Sequence, residues 1–247
     1  MSLLNVDTVE PEGATTDLTL GAGGDKVVIP GTIKISGGSP GADKLLTSDA
    51  DGDATWVAAA GAGGLAGVQV YTASSSTWTK ATRESALGVT ITKVIVEVQG
   101  AGGSGGANLA YYGGGAGGGY AKKLVDVSSV TASTISVGTG GTAVAADGGA
   151  GITGGLSSWA DSVNTDVVGN GGTGKPASSA KAVGGTGTGG DINLQGSRPS
   201  AAFNMGIDWE SIVSTVGKGY GSGGGYGYTS YGSGAGVNGI VIVWEYQ

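Results

Sequence analysis

The sequence predicts an all-β fold with almost no helix, and three observations support this prediction. Glycine accounts for 55 of the 247 residues, far above the roughly 7% of average proteins, and most of it lies within residues 100–239. Two apolar, β-branched runs, at residues 94–98 and 240–244, frame this region. Glycine does not recur at every third position and proline occurs only five times, which excludes collagen. We therefore expect short strands that alternate with extended, polyproline-II-like glycine segments, which pack closely because they lack side chains.

Residues 1–57 are predicted to form short strands separated by turns. Three β-branched runs in this region are each too short to bury a face within one chain, which favours three chains wrapped around a common axis. These runs lie at residues 17–20, 26–29 and 32–35. Residues 44–56 predict a hairpin with an Asp- and Gly-rich turn. Residues 58–67 have the composition of a linker, so we expect a second region to span residues 68–247.

The second region is predicted to repeat a glycine-rich stretch followed by a short strand. Before the first stretch, the pattern predicts strands at residues 68–71 and 76–79 and one helical turn at residues 81–86. The glycine-rich stretches lie near residues 100–119, 138–155, 169–190 and 217–239, with strands near 120–137, 156–168 and 191–197. Residues 198–216 interrupt the repeat because glycine is scarce there.

The residue types that the chain lacks narrow its function. It contains no cysteine and no histidine, so it has no disulfides, no thiolate metal ligands and none of the commonest general base. The net charge is −7, and residues 1–60 contribute −6 of it through nine acidic and three basic side chains. The remainder has no basic stripe for a phosphate backbone. We therefore predict a protein that is not an enzyme, that uses no cofactor or metal, and that does not bind nucleic acid.

Targeting signals are not evident in the sequence. No apolar run reaches the roughly 18 residues of a membrane span. The first residues lack the basic flank and apolar core of a signal peptide. We expect synthesis in a cytoplasm without export by the general secretory route, and a surface protein of this kind leaves the cell as part of a particle.

Three motifs match known binding sites in spelling only. Residues 169–175 fit the first seven positions of a phosphate-binding P-loop, but Pro176 stands where Ser or Thr must bind magnesium. Residues 138–143 mimic a dinucleotide fingerprint, but the sequence that follows does not predict a helix. Three aspartates within residues 49–53 imitate the start of a calcium loop that then lacks its Gly and Glu. A hairpin turn explains these aspartates better.

Aromatic residues beside the glycine runs are the candidates for binding a partner. Tyr and Trp next to Gly and Ser is the composition of antibody binding loops, where rigid rings supply contact area at low entropic cost. The alternative is that the same rings fill a core in which glycine leaves no other bulk. The candidate receptor-binding residues are Tyr111, Tyr112, Phe203, Asn204, Trp209, Tyr226, Tyr228 and Tyr231.

Several segments outside the glycine runs carry a resemblance to a known family. They lie at residues 70–72, 76–79, 92–100, 117–123, 190–196 and 239–246. Together they resemble the glycine-rich domain at the end of bacteriophage tail fibres and receptor-binding proteins. Residues 4–9 and 53–56 are similar to the starts and shafts of marine and cyanobacterial phage fibres. More distantly, the chain resembles the tip adhesins of T-even-like long tail fibres, which pack polyglycine-II helices and carry receptor loops between them; residues 198–216 depart from both patterns.

The resemblance implies host recognition by a virion appendage. It implies a homotrimer whose N-terminal region attaches to other tail or baseplate proteins, and a receptor that is a bacterial surface glycan or outer-membrane protein. The protein would be made in the host cytoplasm and reside in the virion. Two alternatives remain open: a structural or decoration protein without receptor binding, and a polysaccharide depolymerase. The depolymerase would use Asp208 and Glu210, the one close carboxylate pair in the aromatic loops.

Overall fold

The N-terminal part of the structure contains the hairpin that the sequence predicts. The computed structural model describes residues 44–48, 54–58, 64–73, 75–107, 113–199, 216–217, 219–227 and 231–247. In it, β1 (Lys44–Ser48) pairs antiparallel with β2 (Ala54–Ala58). The aspartates at 49–53 and the strands predicted within residues 1–43 lie outside the described residues. Leu45 and Leu46, neighbours on opposite faces of β1, are 55% and 40% exposed. The hairpin therefore leaves apolar side chains uncovered on both of its faces.

Backbone contacts divide the chain into two compact units, Met1–Ala60 and Gly61–Gln247. The described residues of the second unit form two antiparallel five-stranded sheets, with strand orders β11-β6-β5-β12-β3 and β10-β9-β8-β7-β4. The elements are β3 (Leu65–Tyr71), β4 (Ser76–Thr79), α1 (Lys80–Leu87), β5 (Lys93–Gln99), β6 (Tyr120–Asp126), β7 (Ala132–Ser136), β8 (Ser157–Asp161), β9 (Val167–Gly169), β10 (Gly187–Thr188), β11 (Ile192–Leu194) and β12 (Ile240–Tyr246). The all-β fold with very little helix is confirmed.

The helix α1 is longer than the single turn that the sequence predicts. It spans eight residues and ends at Gly88, whose φ of +70° is a left-handed conformation that glycine adopts without strain. The amide of Gly88 donates to the carbonyl of Glu84 at 2.8 Å, which closes the last turn. Within the part of the chain that the structure describes, no helix is long and apolar enough to cross a membrane.

The two strands that frame the glycine region are direct neighbours. β5 and β12 pair antiparallel, with Gln99 opposite Ile240 and Val96 opposite Val243. β3 pairs along the other edge of β12 and begins at Leu65, inside the segment that composition predicts to be a linker. Pairing through backbone groups does not require large side chains, so the Ala/Gly composition there does not prevent a strand.

The core lies between the inner faces of the two sheets. The alternation along β5 buries Val94, Val96 and Val98 completely, as the apolar pattern predicts. Two tryptophans, Trp78 of β4 and Trp159 of β8, supply the bulk on the other sheet, with ring centroids 5.2 Å apart. These large rings compensate for a core that otherwise consists mainly of valine and alanine.

Candidate functional site

The glycine segments form a bundle that continues the strands of both sheets. We use "glycine bundle" for residues 100–107, 113–119, 138–155, 170–175, 183–186, 195–197, 221–227 and 231–239. Its central segment, residues 100–107, is entirely buried, and all eight of its amide groups donate to carbonyl oxygens of other segments. None of these hydrogen bonds lies within the segment. An extended helix that bonds only to its neighbours is the arrangement of polyproline II.

The partners of the central segment change with a period of three residues. Every third amide donates to the same neighbouring segment. The amides of Gly100, Gly103 and Gly106 donate to the carbonyls of Gly119, Ala116 and Gly113, and the amides of Ala101, Ser104 and Ala107 donate to those of Gly155, Ile152 and Gly149. The amides of Gly102 and Gly105 donate to the carbonyls of Val237 and Gly234. Carbonyls of the central segment accept hydrogen bonds from the amides of three further segments. These amides belong to Gly172 and Lys175, to Gly224 and Gly227, and to Gly141. Six segments therefore surround the central one, and the three-residue period is that of a polyproline-II helix. This hydrogen-bond pattern agrees with the predicted polyproline-II-like segments.

Close packing explains why this bundle is made of glycine. A Cβ added at Gly105 would collide with the carbonyl oxygen of Gly225 and approach the Cα atom of Tyr226 to 2.9 Å. A Cβ added at Gly118 would collide with the carbonyl oxygen of Gly100. The colliding atoms belong to the backbone and cannot rotate away, so the segments reach hydrogen-bonding distance only without side chains.

The bundle has two different ends. At one end Gly100, Gly119 and Gly239 lead directly into β5, β6 and β12. We call the opposite end the tip and define it by Ala107, Gly113, residues 144–149, residues 175–181, Gly227 and Tyr231. There Ala107 and Gly149 exchange two hydrogen bonds of 3.0 Å, and the amide of Gly227 donates to the carbonyl of Gly106 at 2.9 Å. The chain thus crosses between segments repeatedly at the tip.

Most of the predicted receptor-binding residues lie outside the described residues. These are Tyr111, Tyr112, Phe203, Asn204, Trp209 and Tyr228, together with Asp208 and Glu210. Tyr231 lies at the tip and is 54% exposed, whereas Tyr226 is only 4% exposed inside the bundle. Of the two described candidates, Tyr231 exposes its ring at the tip and Tyr226 packs within the chain.

Lys175 is a buried cation at the tip. Its side chain is 6% exposed, and its Nζ atom donates to the carbonyls of Pro176 at 2.7 Å and Ser178 at 2.6 Å. Its stem passes so close to Gly106 and Gly113 that Cβ atoms at these positions would lie 3.0 and 2.9 Å from it. Burial lowers the pKa of Lys175 below its ordinary value. The lysine therefore ties the turn after residue 175 to the bundle.

The P-loop spelling at residues 169–175 does not form a phosphate loop. The amides of Asn170, Gly172 and Lys175 donate to Thr186, Ala101 and Ser104 at 2.9, 2.8 and 3.2 Å. These amides are the groups that would have to surround a phosphate. Likewise, no group of three or more acidic side chains that could hold a metal ion occurs among the described residues.

The outer face of the first sheet carries a polar cluster that the sequence analysis did not identify. Glu97 of β5 accepts hydrogen bonds from the Tyr120 hydroxyl at 2.8 Å and the Trp244 indole at 3.0 Å, and lies 3.3 Å from Lys122 Nζ. Burial alone would raise the pKa of Glu97, but these donors outweigh it and hold the pKa below its ordinary value of 4.5. Burial, together with Glu97, raises the pKa of the Tyr120 hydroxyl. The cluster fixes the Tyr120 ring against the sheet.

Beside Tyr120, the junction between the first sheet and the glycine bundle contains a cleft of about 470 Å³. Its lining combines Tyr120, Leu194 and Tyr220 with backbone of the bundle. Sequence reasoning did not predict this site, because its three large side chains come from separate parts of the chain. The only available signal was that Tyr220 and Tyr120 each stand next to a glycine run.

Comparisons with known proteins leave the family open. No protein-family model matches the chain, and no curated protein matches it.

Proposed function

We propose that this protein is the host-attachment protein of a bacteriophage virion, a tail-fibre adhesin that binds a bacterial surface receptor and catalyses no reaction. The observation that carries the proposal is the tip: a set of turns placed at one end of a bundle whose central segment has every amide hydrogen-bonded. Binding residues are commonly found on loops that a rigid scaffold positions. Motifs resembling those of phage fibres in the sequence support the same function.

Because the bundle holds the tip turns in place, the tip loses little conformational entropy when it binds a receptor. A loop that must become ordered on binding pays for that ordering in affinity. In this protein the ends of the tip turns are held by backbone hydrogen bonds of 2.7–3.2 Å, such as those of Gly227, Ser233 and Lys175. Tyr231, two residues before Ser233, exposes its ring beside these hydrogen bonds. An aromatic ring on a rigid backbone supplies contact area at little entropic cost.

The same proposal includes a homotrimer that begins in the N-terminal region. An isolated two-stranded hairpin is at best marginally stable, and β1 exposes Leu45 and Leu46 on its two faces. The indole nitrogen of Trp56 is the buried side-chain polar atom that lacks a hydrogen-bond partner among the described residues. Neighbouring copies would cover the leucines. Three linked tips convert a modest affinity at each site into strong attachment.

Binding of the labelled full-length protein to whole bacteria tests this function. We would incubate it with a panel of marine and cyanobacterial strains and measure bound fluorescence by flow cytometry. We expect at least one strain to bind, and Tyr231→Ala to weaken that binding while the protein stays folded. The matched control is Val163→Ala, since Val163 is 56% exposed in the turn after β8, away from the tip.

Other outcomes of this experiment would point to the competing functions. Absence of binding to every strain, including a host of the phage that carries the protein, would contradict the adhesin and favour a decoration protein. Release of sugar from bound cells would contradict the non-enzymatic function and favour a depolymerase. Equal weakening by Tyr231→Ala and Val163→Ala would show that the tip is not the contact surface.

A further inference from the structure

The cleft beside Tyr120 lies where sheet and bundle meet, away from the tip. One wall is formed by Tyr120 of β6 and Leu194 of β11, which are paired across the two strands. Tyr220 stands in the turn on the other side, and Ser197 and Ser222 contribute hydroxyl groups. Leu194 and Tyr220 are 55% and 49% exposed, so their apolar surfaces are open to a ligand. The volume of about 470 Å³ falls within the roughly 300–1,000 Å³ of small-molecule sites.

The walls of the cleft are held in place without a ligand. The Tyr120 hydroxyl donates to Glu97 at 2.8 Å, which fixes the orientation of the ring. Tyr220 is flanked by Gly219 and Gly221, whose φ values of +86° and +73° define a tight left-handed turn. The amide of Gly221 donates to the carbonyl of Asn238 at 2.8 Å and anchors this turn to the bundle. A ligand that binds between the two rings therefore meets preorganised surfaces.

The lining favours an uncharged ligand that has both an apolar face and hydrogen-bonding groups. None of the described side chains that line the cleft is charged, so an ionic ligand would lose hydration without gaining a counter-charge. The Ser222 hydroxyl already donates to the carbonyl of Gly219 at 2.7 Å, and the Gln195 amide nitrogen donates to that of Gly184 at 3.3 Å. The oxygens of Ser197, Ser222 and Gln195 can still accept hydrogen bonds from a ligand, which a purely apolar ligand would not supply. A sugar satisfies both requirements, because its C–H face packs on tyrosine rings and its hydroxyls bond to amide and hydroxyl groups.

We propose that this cleft binds a neutral saccharide, one or two sugar units of an uncharged glycan, between Tyr120, Leu194 and Tyr220. Tyr120 and Tyr220 contact the ring faces of the sugar, and Gln195, Ser197 and Ser222 bond to its hydroxyls. The site is separate from the tip and stands whether or not the tip binds a receptor.

Saturation-transfer NMR with the full-length protein tests the proposal. The probes are the methyl glycosides of glucose, galactose, mannose and N-acetylglucosamine, with methyl glucuronoside as the charged comparison. We expect saturation transfer to at least one neutral glycoside and shifts of the Leu194 methyl resonances on titration. Tyr220→Ala should weaken that affinity by about tenfold or more, equivalent to about 1.4 kcal/mol. The control Val163→Ala, at an exposed position in the turn after β8, should leave the affinity unchanged.

Three results would overturn the proposal: no transfer to any neutral glycoside, equal affinity in the Tyr220→Ala protein, or equally strong binding of the glucuronoside. If Tyr220→Ala does not fold, Ser197→Trp replaces it, since Ser197 is exposed and a larger side chain there fills the cleft. Comparison of Tyr231→Ala with Tyr220→Ala also separates this site from the attachment function. Loss of cell binding in Tyr231→Ala with normal glycoside binding supports both sites, whereas loss of glycoside binding in Tyr220→Ala alone bears only on the cleft.

Discussion

The guanidinium of Arg83 forms two 2.8 Å hydrogen bonds with the carboxylate of Glu245, whose side chain is completely buried. The indole of Trp78 donates a third, also at 2.8 Å, to the same carboxylate. This cluster joins α1, β4 and β12, and so connects the helix to a strand of each sheet. A buried carboxylate is tolerated here because its charge is paired and its oxygens accept hydrogen bonds.

Loss of one partner from this pair should be strongly destabilising. We expect Arg83→Ala to lower the free energy of unfolding by about 3–5 kcal/mol, because it leaves the Glu245 charge buried without its counter-ion. The measurement is denaturant unfolding followed by tryptophan fluorescence. The control is the double variant Arg83→Met with Glu245→Leu. It also removes the acceptor of the Trp78 indole, but it should be more stable than Arg83→Ala, because a buried N–H without a partner costs less than a buried charge without one. A double variant that is less stable than the single one would mean that the pair itself, not the orphaned charge, dominates.

Packing of the glycine bundle predicts a difference between two chemically identical substitutions. Gly105→Ala should lower the free energy of unfolding by about 3 kcal/mol, at the upper end of overpacking effects, because its Cβ meets backbone atoms. Gly114→Ala should cost less than about 1.5 kcal/mol, because the nearest atoms lie 3.2 and 3.3 Å from its Cβ and have to move far less than those around Gly105. Thermal and denaturant unfolding of both variants measures this. Equal effects would contradict the close approach of residues 105 and 225.

Acid should destabilise the protein through Glu97 and Asp161. Burial would raise the pKa of Asp161, but hydrogen bonds from Asn164, Trp159 and Val163 lower it overall. The donors around Glu97 likewise lower the pKa of Glu97. A carboxylate whose pKa is depressed by folding stabilises above its unfolded pKa, and this contribution is lost as the pH falls through the folded pKa. We expect the stability to decline from about pH 5 downward.

The variant Glu97→Gln isolates one of these two groups. It should be less stable than the wild type at pH 7 and should show a shallower loss of stability between about pH 5 and 3. Asp161→Asn is the parallel control at a different site. Unfolding midpoints measured across this pH range give the slopes, and identical slopes in the wild type and both variants would exclude these carboxylates as the source.

The mass of the protein in solution tests the proposed trimer. Light scattering of the purified full-length protein should give about three times the chain mass of 23.6 kDa. Replacing Leu45 and Leu46 together by Ser should lower that mass, because it removes the exposed apolar groups of the hairpin. Thr47→Ser, at another exposed position of β1, is the control and should not change it. A single-chain mass for the wild type would contradict the trimer.

Local patterns predicted much of the fold. The alternation of Val94, Val96 and Val98 with Ile95 and Glu97 predicted a strand that is at least partly covered on both faces. The structure buries the three valines and half-buries Ile95 and Glu97. The hairpin around residues 49–53 follows from its turn composition and is confirmed by the pairing of Ser48 with Ala54. Such features depend on residues close together in the chain, where side-chain period and turn chemistry act directly.

The candidate site was predictable only in part. Tyr231 is exposed at the tip and remains a candidate, whereas Tyr226, in the same Gly/Tyr-rich stretch, is buried. Composition cannot separate these two tyrosines, because both stand in the same stretch and each is followed by glycine. Their difference arises from where the neighbouring segments of the bundle lie. The cleft at Tyr120 and Tyr220 was missed for the same reason.

From the order of its residues alone, this protein is determined to be a β-rich chain in which bare backbone dominates, without the groups needed for thiol, imidazole or phosphate-loop chemistry. Composition and local period suffice for that, since they limit what each short stretch can do. Only the tertiary structure decided that residues 100–107 form the centre of six surrounding segments, that Glu245 is paired with Arg83, and that Tyr120 faces a cleft beside Tyr220. The physical reason is that glycine carries no side chain to specify a neighbour, so the partners of each segment depend on hydrogen bonds between residues far apart in the chain.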